Sequence, residues 1–265
     1  MSVFFQTVRT ALQASNIDEK CTLTREAAKQ SQTLNKQHIL DGLGSPTDVT
    51  QPGRPEQPVL VNAGSLPKRA MGSLEGRKIM MHAIAHIEFN AINLALDAVQ
   101  RFEEMPLAYY LDWIKVAEEE VYHFELIRAH LRHLGGEYGD YPAHNGLWEM
   151  AETTAHDVLD RMALVPRVLE ARGLDVTPGI QQKMRHVGDN HAATLLDIIF
   201  LDEIGHVEIG SRWFRYLCKE RRLPPTETFF ALVDKHFPRG IDSHVNLQAR
   251  QQAGFSKAEI ERLFA

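Results

Sequence analysis

Residues 117–124 read AEEEVYHF and residues 200–207 read FLDEIGHV. Each holds a Glu-x-x-His pair, Glu120 with His123 and Glu203 with His206. A spacing of three on an α-helix sets both side chains on one stretch of one face, where they can grip a single ion. Working outward, that face is otherwise apolar in both stretches. Trp113, Ala117, Phe124, Ile127 and Leu134 surround the first pair, and Leu196, Ile199, Gly210, Trp213 and Leu217 the second. A carboxylate in such a stripe is strongly disfavoured unless it is neutralised or paired, and a metal ion supplies the pairing. One such motif in a chain with 13 histidines is a common accident. The second copy repeats its surroundings: placing Glu120 on Glu203 also pairs Glu119 with Asp202, Glu125 with Glu208, Arg132 with Arg215 and Leu134 with Leu217.

The preceding glutamates repeat as well. Glu88 lies 32 residues before Glu120, and Glu170 lies 33 before Glu203. The unit is a Glu-bearing helix, a turn and a Glu-x-x-His helix, occurring twice. Glu88, Glu120, His123, Glu170, Glu203 and His206 therefore form the four-glutamate, two-histidine ligand set of dinuclear carboxylate bundles. The competing reading is a duplicated bundle with buried ion pairs. Pro166, one turn before Glu170, predicts a kink at that position.

Four long amphipathic helices are expected between residues 73 and 223, making an all-α four-helix bundle. The first carries Met81, Ile84, Glu88, Ala91, Ala95, Val99 and Phe102 on one face. The second starts at Pro106 and ends at Gly135-Gly136. The third covers about 146–172 and stops at Gly173, with GLDVTPG as a loop and a short helical connection at 180–188. The fourth runs from about His191 to Glu220. Residues 1–72 read as an N-terminal wrapping segment: a helix over Val3–Ala14, a second one beginning at Thr24, then the Pro/Gly-rich loop from Ser45 to Arg69. Its PVLV stretch is expected on the bundle surface. Residues 224–265 read as a C-terminal helical extension, with Ser256 and Glu259 as a capping box.

The other histidines and the charge pattern have plainer readings. His82 and His86 point away from Glu88 on the helical wheel, so they are expected to hydrogen-bond the N-terminal segment. His130, His133, His156, His186 and His191 are expected at the surface or at helix ends. Tyr122, inside the first motif, is a candidate redox residue beside the simpler reading of a packed tyrosine. A net charge of −6 argues against bulk binding of nucleic acid. The basic run LCKERRL at 217–223 reads as a solvated helix end. Two cysteines without CxxC spacing, no signal-peptide core and no apolar run of about 20 residues point to the cytoplasm and away from a membrane.

The strings HAIAHIEFNAINLALDAVQRF (82–102), LEARGLDVTPG (169–179) and DEIGHVEIGSRWFRYLC (202–218), with GRPEQPVLV (53–61), resemble the ferritin-like family catalogued as domain of unknown function 455. The resemblance covers most of the chain and implies a ferritin-like fold with a dinuclear metal site, but no substrate. Glu119-Glu120-x-x-His123 and Asp202-Glu203-x-x-His206 are also similar to the paired motifs of dinuclear-iron oxygenases and the ribonucleotide reductase small subunit. That similarity implies that Asp202 and Glu119 orient the ligand histidines, Asp202 toward His123 and Glu119 toward His206.

The function expected is an oxidoreductase that activates O₂ or peroxide, with hydroxylation of an unknown small-molecule substrate as the reaction type. Glu88, Glu120 and His123 would hold one ion and Glu170, Glu203 and His206 the other. Glu120 and Glu203 would bridge ions about 3.5–4 Å apart. Carboxylate-rich ligation suits iron or manganese. Ferritin-like storage or buffering of metal without catalysis is the alternative, and a homodimer is among the assemblies the sequence allows.

Overall fold

The computed structural model describes residues 2–35, 51–238, 240 and 245–263. Residues 36–50, which hold part of the expected wrapping segment and the first six residues of its Pro/Gly-rich loop, lie outside the described residues. Among the described residues every regular element is helical, with one isolated β-bridge between Leu60 and Ala143. The chain divides into two compact units, Met1–Glu149 and Met150–Ala265.

In the first unit, α1 (Val3–Gln13) and α2 (Ile17–Ser31) pack on a long helical pair, α3 (Leu74–Arg101) and α4 (Leu107–His133). The sequence accounts for these boundaries. The Ser73 hydroxyl accepts from the Gly76 N–H at 3.0 Å to cap α3. Pro106 stands just before α4, and Gly135 takes the left-handed conformation (φ 81°) that closes it. The second helix begins at Ile17, seven residues earlier than expected, because Asn16 caps it by accepting from the Glu19 N–H at 3.0 Å. By length and composition α3 could cross a membrane, but its most apolar window is 83% buried within the protein, the pattern of a core helix.

The segment after residue 51 returns along α1. The Gly53 N–H donates to the Leu12 carbonyl at 2.8 Å, and a Cβ at Gly53 would meet the Gln13 carbonyl oxygen at 2.0 Å. Only glycine permits this approach. Farther on, Val59 and Val61 bond Ala143 through the backbone, so the PVLV stretch is fastened to the 135–145 loop.

Lys20, wholly buried in α2, donates from Nζ to the Ala11 and Leu12 carbonyls at 2.8 and 2.9 Å. It thereby adds a second donor to each of two carbonyls in the last turn of α1. Burial pushes its ammonium down from 10.5 to about 7. Between those values the unfolded chain binds the extra proton, so this group's destabilising contribution is relieved as pH rises. From pH 7 to 9 the wild type should gain on the order of 2 kcal/mol relative to Lys20→Met. Paired denaturant titrations at the two pH values check this; a gap between the proteins that does not move with pH would refute it.

Helix α5 (Gly146–Thr153) begins in the last residues of the first unit; in the second, α6 (Val158–Leu164) is followed by a π-helical stretch, Val165–Glu170. Then come α7 (Ala171–His186), α8 (Asn190–Glu220), α9 (Pro225–His236), α10 (Leu247–Gln252) and α11 (Lys257–Leu263). The fourth expected helix agrees with α8 to within a residue. The third does not form one continuous α-helix. It breaks at residues 154–157, where Asp157 caps α6 by accepting from the Leu159 N–H at 2.7 Å and pairs with Arg221 at 2.6 Å.

GLDVTPG, expected as a loop, lies inside α7. Pro178 deprives the Leu174 carbonyl of its usual helical donor four residues on. The Asn246 side-chain amide donates to that carbonyl instead, at 3.3 Å. Leu174 is wholly buried. Tertiary contacts thus carry the helix through a Gly and a Pro that local propensity reads as breakers. The expected capping box is present: the Glu259 N–H donates to Ser256 Oγ at 3.2 Å and the Ser256 N–H to Glu259 Oε2 at 2.8 Å.

Candidate metal centre

The first unit gathers three of the expected ligands. Glu88 on α3 and Glu120 and His123 on α4 are all buried. Each offers one ligand atom, and those atoms lie within 4.8 Å of one another. His123 turns Nδ1 toward both carboxylates, 3.5 Å from Glu120 Oε2 and 3.6 Å from Glu88 Oε2. The Glu-x-x-His register on α4 and the packing of α3 along α4 together make this group. Burial alone would push the imidazole pKa down. Hydrogen bonding and charge from Glu120 and Glu88 overcome that and push it up to about 11. The position therefore strongly favours a cation, and with a neutral imidazole the donor set of two carboxylates and one nitrogen fits a divalent ion. This buried group could hold a metal ion.

The second unit repeats the local arrangement. Glu203 and His206 sit on α8, His206 is buried, and its Nδ1 lies 3.8 Å from Glu203 Oε1. Both histidines thus turn the same ring nitrogen toward their own glutamate. Glu170, half-buried, is the last residue of the π-helical stretch. The sequence predicts a kink near Pro166; the structure replaces it with a π register, which one inserted residue produces in a helix and which is often found at functional sites. Proline at 166 is the sequence signal for this irregularity, but it does not distinguish a kink from a π turn. Against Pro166 stands Gly210 of α8, where a Cβ would come within 2.3 Å of the proline Cβ and Cγ.

Glu119 is half-buried and pairs with Lys115 at 3.3 Å, and Asp202 is half-buried on α8. Tyr122 is exposed, so it is not the packed tyrosine of the simpler reading, and its ring centroid lies 6.2 Å from that of His123. His82 and His86 do not bond the N-terminal segment as expected; they hold the 135–145 loop. His82 Nε2 accepts from the Gly139 N–H at 2.9 Å. His86 Nδ1 faces the Tyr138 hydroxyl at 3.0 Å and Nε2 faces the His144 carbonyl at 3.1 Å. Burial pushes both imidazoles down to about 4, so they are neutral at pH 7. His130, expected at a surface or helix end, lies near the end of α4 but is buried, whereas His133, His156, His186 and His191 are exposed.

A family model described as "Protein of unknown function (DUF455)" matches residues 13–261. The chain belongs to this family. The DUF455 match takes in both Glu-x-x-His helices, Glu88 and Glu170. A Haemophilus influenzae protein described as uncharacterised is similar over 98% of this chain and 93% of its own length, at 46% identity. No solved structure matches the DUF455 chain.

Proposed function

We propose that this protein is a ferritin-like dinuclear metal protein that activates O₂ or peroxide to oxidise a small substrate. Glu88, Glu120 and His123 of the first unit would hold one ion, and Glu170, Glu203 and His206 of the second unit the other, with Glu120 and Glu203 shared between them. The observation that carries this reading is the repeated geometry: two buried histidines, each with Nδ1 turned to the glutamate three residues before it. The first of these histidines faces a second buried carboxylate as well.

Carboxylate-dominated ligation suits iron or manganese, which supply redox chemistry with dioxygen. The protein's part is to fix the donors in a dry setting. Asp202 and Glu119 would each accept a hydrogen bond from the second ring nitrogen of a ligand histidine, fixing its tautomer.

Metal stoichiometry is the direct test. Protein from iron- and manganese-supplemented cells should carry about two ions per chain, one for each half of the repeat. Elemental analysis finding no transition metal would end the reading. Reduced, iron-loaded protein should consume O₂ without building mineral. Ferric iron retained in large excess over the two sites would establish storage instead.

A further inference from the structure

Within the second unit, the C-terminal segment is fastened to the π-helical stretch by buried charge. Arg167, one turn before Glu170, is only 1% exposed. Its guanidinium stands over the rings of Phe229, Phe255 and Phe214, at 4.2, 4.5 and 4.6 Å from their centroids. It donates from Nη2 to Glu259 Oε1 at 2.7 Å and from Nε to Ser211 Oγ at 3.3 Å. Arg250, also buried, donates from Nη1 to the Arg167 carbonyl at 3.2 Å. It also donates from Nε and Nη2 to the two Asp175 oxygens, at 3.2 and 2.5 Å. Residues 246–259 therefore grip both the backbone and the side chain of the π turn, and the start of α7 behind it.

A π register is rarely the preferred state of an isolated chain. The α-helical alternative differs by one residue of winding, and each residue turns the helix by about 100°. Whichever register is held decides the face on which Glu170 emerges. A donor on the Arg167 carbonyl and a paired charge on its side chain, both supplied from the C-terminal segment, hold it from outside.

We propose that Arg167, Arg250 and Glu259 are positioning residues for the metal site: the C-terminal segment keeps Val165–Glu170 in its π register and so sets how Glu170 meets an ion. This rests on Glu170 being a ligand, as in the function proposed above.

The test is Mn(II) titration of the full-length protein, with Glu259→Gln and Glu259→Asp beside the wild type, together with hydrogen exchange. In Glu259→Gln the amides of residues 165–175 should lose protection while those of α3 and α4 keep theirs. The second Mn(II) should bind 10- to 100-fold more weakly, with the first within about twofold, and Glu259→Asp should restore most of the loss. Faster exchange at 165–175 with unchanged affinity for both ions would reduce the clamp to a packing role and overturn the proposal. A wild type that binds no second ion would instead remove Glu170 as a ligand, and the proposal with it. If Glu259→Gln does not fold, Ser211→Ala removes only the bond to Nε. It should weaken the second ion in the same direction by a smaller factor, and no change there would overturn the proposal too.

Discussion

Glu120→Ala should take the protein from two bound ions to none, and Glu203→Ala should do the same, whereas Glu88→Ala should keep one. The asymmetry follows from the proposed sharing of Glu120 and Glu203 between the ions: losing a shared carboxylate unmakes both positions, and losing Glu88 strips one. Stability should follow the metal. An ion that binds only the folded chain, at a free concentration about 1,000 times its dissociation constant, adds about 4 kcal/mol. The loaded wild type should therefore melt well above its metal-free form, and that gap should vanish in Glu120→Ala. Elemental analysis paired with thermal melts with and without added Mn(II) measures both effects. Equal metal content in all three variants would show that no carboxylate is shared. A wild type whose melting ignores metal would show that no ion binds the folded state tightly.

Much of the half-site in the first unit was legible because two independent signals agree there. Pro106 and Gly135 bracket α4, and the apolar stripe on each helix is broken by acid where Glu88 and Glu120 stand. Each signal is local, so a linear reading finds it. The third expected helix failed for the opposite reason. Its break at residues 154–157, its π turn and its passage through Gly173 and Pro178 depend on partners 64 to 92 residues away, among them Arg221, Asn246, Arg250 and Glu259. No periodicity within the segment encodes them. His82 and His86 show the intermediate case. Their direction away from Glu88 was readable from the wheel, but their partners in the 135–145 loop are set by how the chain turns after α4.

Gly210→Ala should be among the most damaging of the small substitutions in the second unit. The added carbon would sit 2.3 Å from two carbons of the Pro166 ring. Contacts below about 3 Å do not survive between carbons, and a proline ring has no rotamer with which to retreat. Either α8 or the π-helical stretch must move, and both carry proposed ligands. Overpacking of this kind costs about 3 kcal/mol at the upper end of its usual range, a fall in Tm on the order of 6–12 °C for a chain of this size. Gly173→Ala is the matched control. Gly173 is also helical, but nothing lies within 4 Å of the position its Cβ would take. There the methyl group only restricts the unfolded chain, so stability should rise by about 0.4–1 kcal/mol. Thermal melts of the two variants in metal-free buffer separate packing from ligation. If Gly210→Ala melts within a degree of the wild type there, the close approach of Pro166 to α8 is not a constraint on the fold. If it melts low but recovers fully on adding Mn(II), the displaced π turn is still able to bring Glu170 to an ion.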